Sequence, residues 1–272
     1  MNGREGNERD MPRKIIDISV ALTAGIKSDP PHMLPQIDYR DHHMTAPSMA
    51  EFMAVPVDAL PNGEYAAVEQ VNISTHNGTH MDAPYHFFSR MDEKLVPGGR
   101  PSMRIDEVPL DWCFQPGVKL DFREKPDGHV VTAEEVEAEL RRIGHELKPL
   151  EIVLVNTRAG SRYGQDDFVE SGCGMGRAAT LWLAERGVRV VGTDGWSWDA
   201  PFSFTKKRVQ ETGDVSLIWE GHRAGREIGY CQMEKLSNLD QLPPDGFTVS
   251  CFPVKIHGAS AGWTRAVAIL EG

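Results

Sequence analysis

The chain has 272 residues, 40 % of them hydrophobic and 25 % charged, the make-up of a globular protein large enough to bury a substantial core. Its 29 basic and 40 acidic residues leave a formal net charge of −11, which argues against a nucleic-acid partner. No apolar run is long enough to cross a membrane, and Met1 to Arg13 lacks the apolar core of a secretory signal, so a cytoplasmic protein is expected.

Residues 1–13 read as a mobile tail ahead of one domain over 14–272. Lys14 to Leu22 alternates as a strand does. Thr23 to Pro61 is rich in Pro, His and Met with little periodicity. It reads as a long loop, serving as a lid or a subunit contact. Its His32, His42 and His43 read as solvated residues. Tyr65 to Ile73 is a strand leading into Thr75–His86, and Val118 to Phe122 is a short one. Thr132 with Glu135 three residues later forms a capping box, which opens a helix running to about Gly144. Glu151 to Thr157 is an apolar, β-branched run, as in a buried strand. The glycine-rich stretch Ser171 to Gly176 lacks the spacing of a phosphate-binding loop and reads as a flexible entry to a helix over Arg177 to Arg186, ended by Gly187. Val188 to Thr193, Phe247 to Lys255 and Arg265 to Leu270 are further strands. Cys113, Cys173, Cys231 and Cys251 show no CxxC spacing and read as reduced, packed thiols.

The segment Thr75-His-Asn-Gly-Thr-His-Met-Asp-Ala-Pro-Tyr-His86 carries the chemistry. His76, His80 and Asp82 together form a candidate facial site for a divalent metal, and His86 is placed to move protons. In a helix His76 and His80 would share a face, but Asp82 would point away. In a straight strand all four share parity, yet His76 and His80 would lie about 13 Å apart. Ligands of one ion must converge within a few ångströms. The segment is therefore expected to be extended but sharply bent, with Gly78 permitting the bend and Pro84 setting the backbone before His86. A second cluster, Trp196 to Phe204, places four aromatics just after a buried strand. Trp196, Trp198 and Phe202 suit the wall of a pocket for a flat aromatic molecule. Asp194 and Asp199 are read as orienting imidazoles or capping turns, not as ligands.

The string from His76 to Phe87 resembles the H-x-G-T-H-x-D-x-P-x-H-F signature of the metal-dependent cyclase family, which includes bacterial kynurenine formamidases and isatin hydrolases. Every fixed position is present. Val191-Gly-Thr-Asp-Gly-Trp-Ser-Trp-Asp199, Pro253-Val-Lys255 and Arg265-Ala-Val267 resemble later family segments, so the likeness runs over roughly residues 14–270. It implies a mixed α/β domain with a β-barrel-like core and flanking helices, of the swivelling β/β/α type, and a homodimer or homotetramer. His222 and Glu234, twelve apart, match a second His and Glu used by the formamidases at a two-metal site. A continuous helix would separate this pair by about 18 Å. Gly225 and Gly229 instead imply a turn after His222 and a strand from Ile228 to Leu236.

The resemblance implies a metal-activated water attacking a carbonyl, with His86 as the proton carrier. Mixed His and Asp ligation suits Mn²⁺ or Zn²⁺. Likeness to isatin hydrolases favours manganese; likeness to formamidases favours zinc. The expected substrate is a small aromatic amide or lactam. Isatin opened to isatinate is preferred, on the chain's length, the 23–61 insertion and the Trp196/Trp198 pair. Glu234 points the other way, toward N-formylkynurenine. The remaining alternative is a non-catalytic small-molecule binding protein on the same fold, against which the intact His76/His80/Asp82/His86 set argues.

Overall fold

The computed structural model describes residues 13–270, so the expected tail lies, apart from Arg13, outside the described residues. At the centre is Ile152–Asn156, five residues that are all buried. β-Branched side chains at Ile152, Val153 and Val155 suit a strand covered on both faces. Alternation then divides the interior in two: Val153 and Val155 enter one hydrophobic core, Ile152 and Leu154 the other.

Around this strand a nine-stranded mixed sheet curls into a half-barrel flanked by helices. Its order is Lys14–Asp17, Val267–Leu270, Phe247–Ser250, Phe114–Asp121, Ile152–Asn156, Val190–Thr193, Cys231–Glu234, His80–Asp82 and Ala261–Trp263. The middle strands are parallel; His80–Asp82 runs antiparallel to both of its neighbours. In that register Glu234 lies opposite His80, and Gln232 opposite Asp82. Residues two apart share a face, so these four polar side chains project from one patch of sheet, while Met81 and Met233 fill the core behind it.

The capping box at Thr132 and Glu135 opens the helix Ala133–Ile143, and Gly144 closes it in the left-handed region at φ 71°. The glycine-rich stretch has a packing role. The short strand Gly174–Met175 pairs with Val130–Val131, and a Cβ on Gly174 would fall 1.8 Å from the Ala200 nitrogen, so the Asp199–Ala200 backbone can lie against it only because no side chain intervenes. Two sequence expectations need correction. The 23–61 segment is not a plain loop. Gln36–Arg40 pairs with Val68–Asn72, and the helix His42–Met53 starts where Asp41 accepts hydrogen bonds from His43 N at 3.0 Å and Met44 N at 2.9 Å. Local capping and hairpin pairing supply the order that hydrophobic periodicity did not announce. Likewise, no turn follows His222. It lies inside the helix Glu220–Glu227, whose Gly225 is pressed against Phe87, and the strand begins only at Cys231.

His145 ties the end of one helix to two strands. Its Nε2 lies 3.0 Å from Glu151 and its Nδ1 2.8 Å from Asp245. Burial pulls its pKa down, but the two carboxylates outweigh that and raise it above the ordinary value of 6.5. The pair therefore stabilises the fold fully below that value, and the gain disappears as pH rises through the elevated pKa. Thermal melts of the wild type and His145→Gln are expected to differ more at about pH 5.5 than at about pH 9. An equal difference at both would rule this linkage out.

Candidate active site

The polar patch on the sheet is completed by a bent loop. Gly78, at φ 61°, turns the chain between Asn77 and Thr79 and brings His76 beside the strand His80–Asp82. The bend required by the ligand spacing is thus present at the glycine. His80 Nδ1 donates to the Gly78 carbonyl at 2.9 Å, which leaves Nε2 with its lone pair free. That Nε2 and Asp82 Oδ1 are both buried and both without a hydrogen-bond partner, 3.4 Å apart. His76 Nδ1 comes within 2.9 Å of the same oxygen but without hydrogen-bond geometry. Two donors held about 2 Å from one ion can be no more than about 4 Å apart. The trio therefore fits a divalent cation, and without one its buried lone pairs would face each other uncompensated.

Asp82 is the shared member. Burial would raise its pKa, but the surrounding imidazoles of His80, His86 and His76 hold it well below the usual carboxylate range. His86, in the short helix Pro84–Phe87, places Nε2 4.0 Å from Asp82 Oδ2. Burial pushes its pKa down to about 4, so at neutral pH it is an uncharged imidazole able to accept a proton. Its ring lies 4.2 Å from that of His76.

His222 is brought in by its helix and held by Asp199. That carboxylate accepts from the His222 Nδ1 and caps the helix at Gly221 N (2.7 Å) and His222 N (3.1 Å). His222 Nε2 is thereby aimed inward, where it meets an unexpected residue. The Gln232 amide nitrogen lies 2.8 Å from His222 Nε2, 2.9 Å from Glu234 Oε1 and 3.3 Å from Asp82 Oδ2. Three acceptors converging on one atom identify it as the nitrogen end of the amide. Glu234 Oε1 also accepts from the Trp198 amide at 3.0 Å, whereas Oε2 faces His80 Nε2 at 3.6 Å. Burial raises the Glu234 pKa to about 7, with the Asp82 charge adding to it.

The cleft above these groups is lined by Met33, His76, His86, Trp196, Phe202 and Trp219. At about 130 Å³ it falls below the roughly 300 Å³ lower end of drug-sized sites, so it takes a small molecule. Trp196 and Phe202 occupy the wall expected of them. Trp198 does not: it is buried, and its indole Nε1 donates to Thr180 Oγ1 at 3.0 Å inside the helix-side core. The chain bends from Asp194 to Asp199, after the strand has ended, and this turns the two indoles into different environments. Asp194 caps the turn at Thr157, and burial raises its pKa to about 7. His32, His42 and His43 are exposed, as expected.

Sequence reasoning missed Gln232, Trp219, Asp29 and Lys235. Trp219 stacks on His222 with ring centroids 4.4 Å apart and planes 6° off parallel, and it holds a left-handed backbone at φ 56°. The same-face spacing of Gln232 and Glu234 was the one available signal for Gln232; nothing local marks Trp219 or Asp29.

Comparison with known proteins decides the family. The Cyclase family profile matches residues 16–200. This chain belongs to that family. Cyclase-like protein 3 of Arabidopsis thaliana is 24 % identical over 267 residues, covering 96 % of this chain and 81 % of that protein. Kynurenine formamidase of Salinibacter ruber is 28 % identical over 198 residues, covering 72 % of this chain and 77 % of its own. Among solved structures, isatin hydrolase A from Labrenzia aggregata bound to benzyl benzoate superimposes with a TM-score of 0.70 at 22 % identity, over 96 % of this chain and 94 % of that one. Isatin hydrolase A from Ralstonia solanacearum gives 0.71 at 22 % identity, over 95 % and 92 %. Donor set and kinship together make this chain a metal-dependent hydrolase of the Cyclase family.

His80→Ala is expected to abolish stoichiometric Mn²⁺ or Zn²⁺ binding in isothermal titration, with the fold retained by circular dichroism. Full occupancy in that variant would exclude the ligand assignment.

Proposed function

We propose that this protein is a metal-dependent cyclic amide hydrolase that opens the lactam C–N bond of isatin to give isatinate. The observation that carries this reading is the small aromatic cleft set directly above the His76/His80/Asp82 face, with the uncharged His86 at its edge. A flat bicyclic lactam suits a slot bounded by Trp196, Phe202 and Trp219. The structural likeness to isatin hydrolases supports the fold that such a slot requires.

When bound at His76, His80 and Asp82, Mn²⁺, or alternatively Zn²⁺, supplies Lewis acidity and a water of lowered pKa. The protein's part is positioning and proton transfer. His86 accepts the proton of the attacking water and returns it to the lactam nitrogen as the C–N bond opens. His222, fixed by Asp199 and stacked on Trp219, keeps its Nε2 toward the reacting region. The Gln232 amide nitrogen lies among Asp82, His222 and Glu234 and takes up their inward lone pairs, which favours one ion per chain over a second at the converging Asp82, His86 and His222. The second reading is hydrolysis of N-formylkynurenine, favoured by the retained Glu234 and by the named formamidase relatives.

Metal-stripped protein is expected to leave the absorbance of isatin unchanged and to bleach it once Mn²⁺ is restored, with activity reaching its plateau at one equivalent. His86→Gln should keep the metal and lose at least about a hundred-fold in turnover. Ion binding without ring opening, in a protein that then cleaves N-formylkynurenine, would hand the assignment to the second reading.

The arm from Gln36 to Asn72 exposes Phe52, Met53 and Val71, apolar surface that supports a homodimer or homotetramer. Sedimentation velocity is expected to give a dimer or tetramer for the wild type and a smaller species for Phe52→Asp. A monomeric wild type would end this reading.

A further inference from the structure

Asp29 and Lys235 are both buried, far apart in sequence, and joined in an ion pair beside the cleft. Asp29 belongs to the segment before the arm; Lys235 directly follows Glu234, in a left-handed backbone conformation at φ 56°. A buried lysine is costly, and an apolar pair would fill the same space with less desolvation. A non-glycine residue held at positive φ adds local strain. The partners of the two charges account for what this cost achieves.

Lys235 Nζ donates to the His76 carbonyl at 2.8 Å as well as to Asp29. Asp29 accepts from the Asn77 side-chain amide at 3.0 Å, the Trp196 indole at 3.0 Å and the Ser28 hydroxyl at 2.9 Å. Asn77 in turn donates to the Met33 carbonyl at 2.8 Å and accepts from Ser74 N at 2.8 Å. One ion pair thus grips the backbone of His76, the side chain of its neighbour Asn77, and the indole that forms the cleft wall. Apolar side chains could fill the space but could not direct these groups.

We propose that Asp29 and Lys235 are positioning residues, a clamp that holds the His76 loop in its metal-binding shape and sets Trp196 against the cleft. The proposal rests on the metal-site reading above and not on the identity of the substrate. Asp29 lies on the N-terminal segment, so the clamp also makes the folding of that segment a condition for a well-formed site.

The test is Mn²⁺ affinity, measured by chelator competition, which needs no substrate. Asp29→Ala alone would strand a buried ammonium and can fail through misfolding. The informative variants are Lys235→Met, which leaves Asp29 its three other donors, and the double variant Asp29→Ala/Lys235→Met, which removes both charges. Both are expected to bind Mn²⁺ at least about ten-fold more weakly than the wild type, the size of loss typical of residues that support metal ligands. The double variant should melt within a few degrees of the wild type, and its intrinsic tryptophan fluorescence, to which Trp196 contributes, should change. Wild-type Mn²⁺ affinity in Lys235→Met would overturn the clamp while leaving the metal site standing. A wild type that binds no Mn²⁺ would overturn both.

Discussion

A carboxylate with no access to water, Asp82, organises this molecule's site. It lies in a strand paired on both sides, so its backbone cannot shift to expose it. An ionised group in such a place must be neutralised by its neighbours. His76, His80, His86 and the Gln232 amide all converge on it. The arrangement holds more lone pairs than protons at its centre, and a divalent cation resolves that imbalance. Sheet register follows from the same demand: a one-residue slip would send Asp82 and His80 into the apolar core and Met81 into the site.

Around this centre the support is built in layers of differing chemistry. Asp199 orients His222 from outside, and Tyr230 reaches both Gln232 Oε1 at 3.1 Å and the Gly221 carbonyl at 3.0 Å. Phe87 packs edge-on to His222 from the core side, and Trp219 covers its other face. Few of these groups can move without unpairing another, which is the pre-organisation that charge development in a reaction requires. Gln232 places an uncharged amide among Asp82, His222 and Glu234. Its amide nitrogen lies within hydrogen-bonding reach of the Asp82 and Glu234 carboxylates and of His222 Nε2.

The N-terminal third has two roles that composition hides. Residues 28–33 close over the cleft through Asp29 and Met33, while residues 36–72 extend as a hairpin with a helix inserted between its strands. An extended arm with few core residues cannot show strong periodicity, because most of its side chains face solvent. Its order comes from hairpin hydrogen bonds and from the Asp41 cap instead.

Local chemistry made much of this protein legible in the sequence. His76, His80, Asp82 and His86 fall within eleven residues, and the demand that ligands converge required a bend that Gly78 permits. The capping box at Thr132 and the apolar run after Glu151 announced their helix and strand because those signals are carried by neighbours in the chain. What tertiary structure alone decided were contacts between distant segments. Gln232 meets Asp82 across 150 positions, and Asp29 meets Lys235 across 206. Trp198 faces the core while Trp196 faces the cleft, a choice set by where the sheet and helix happen to lie. Periodicity and spacing describe which side of an element a residue takes; only the packing of one element on another determines what waits on that side.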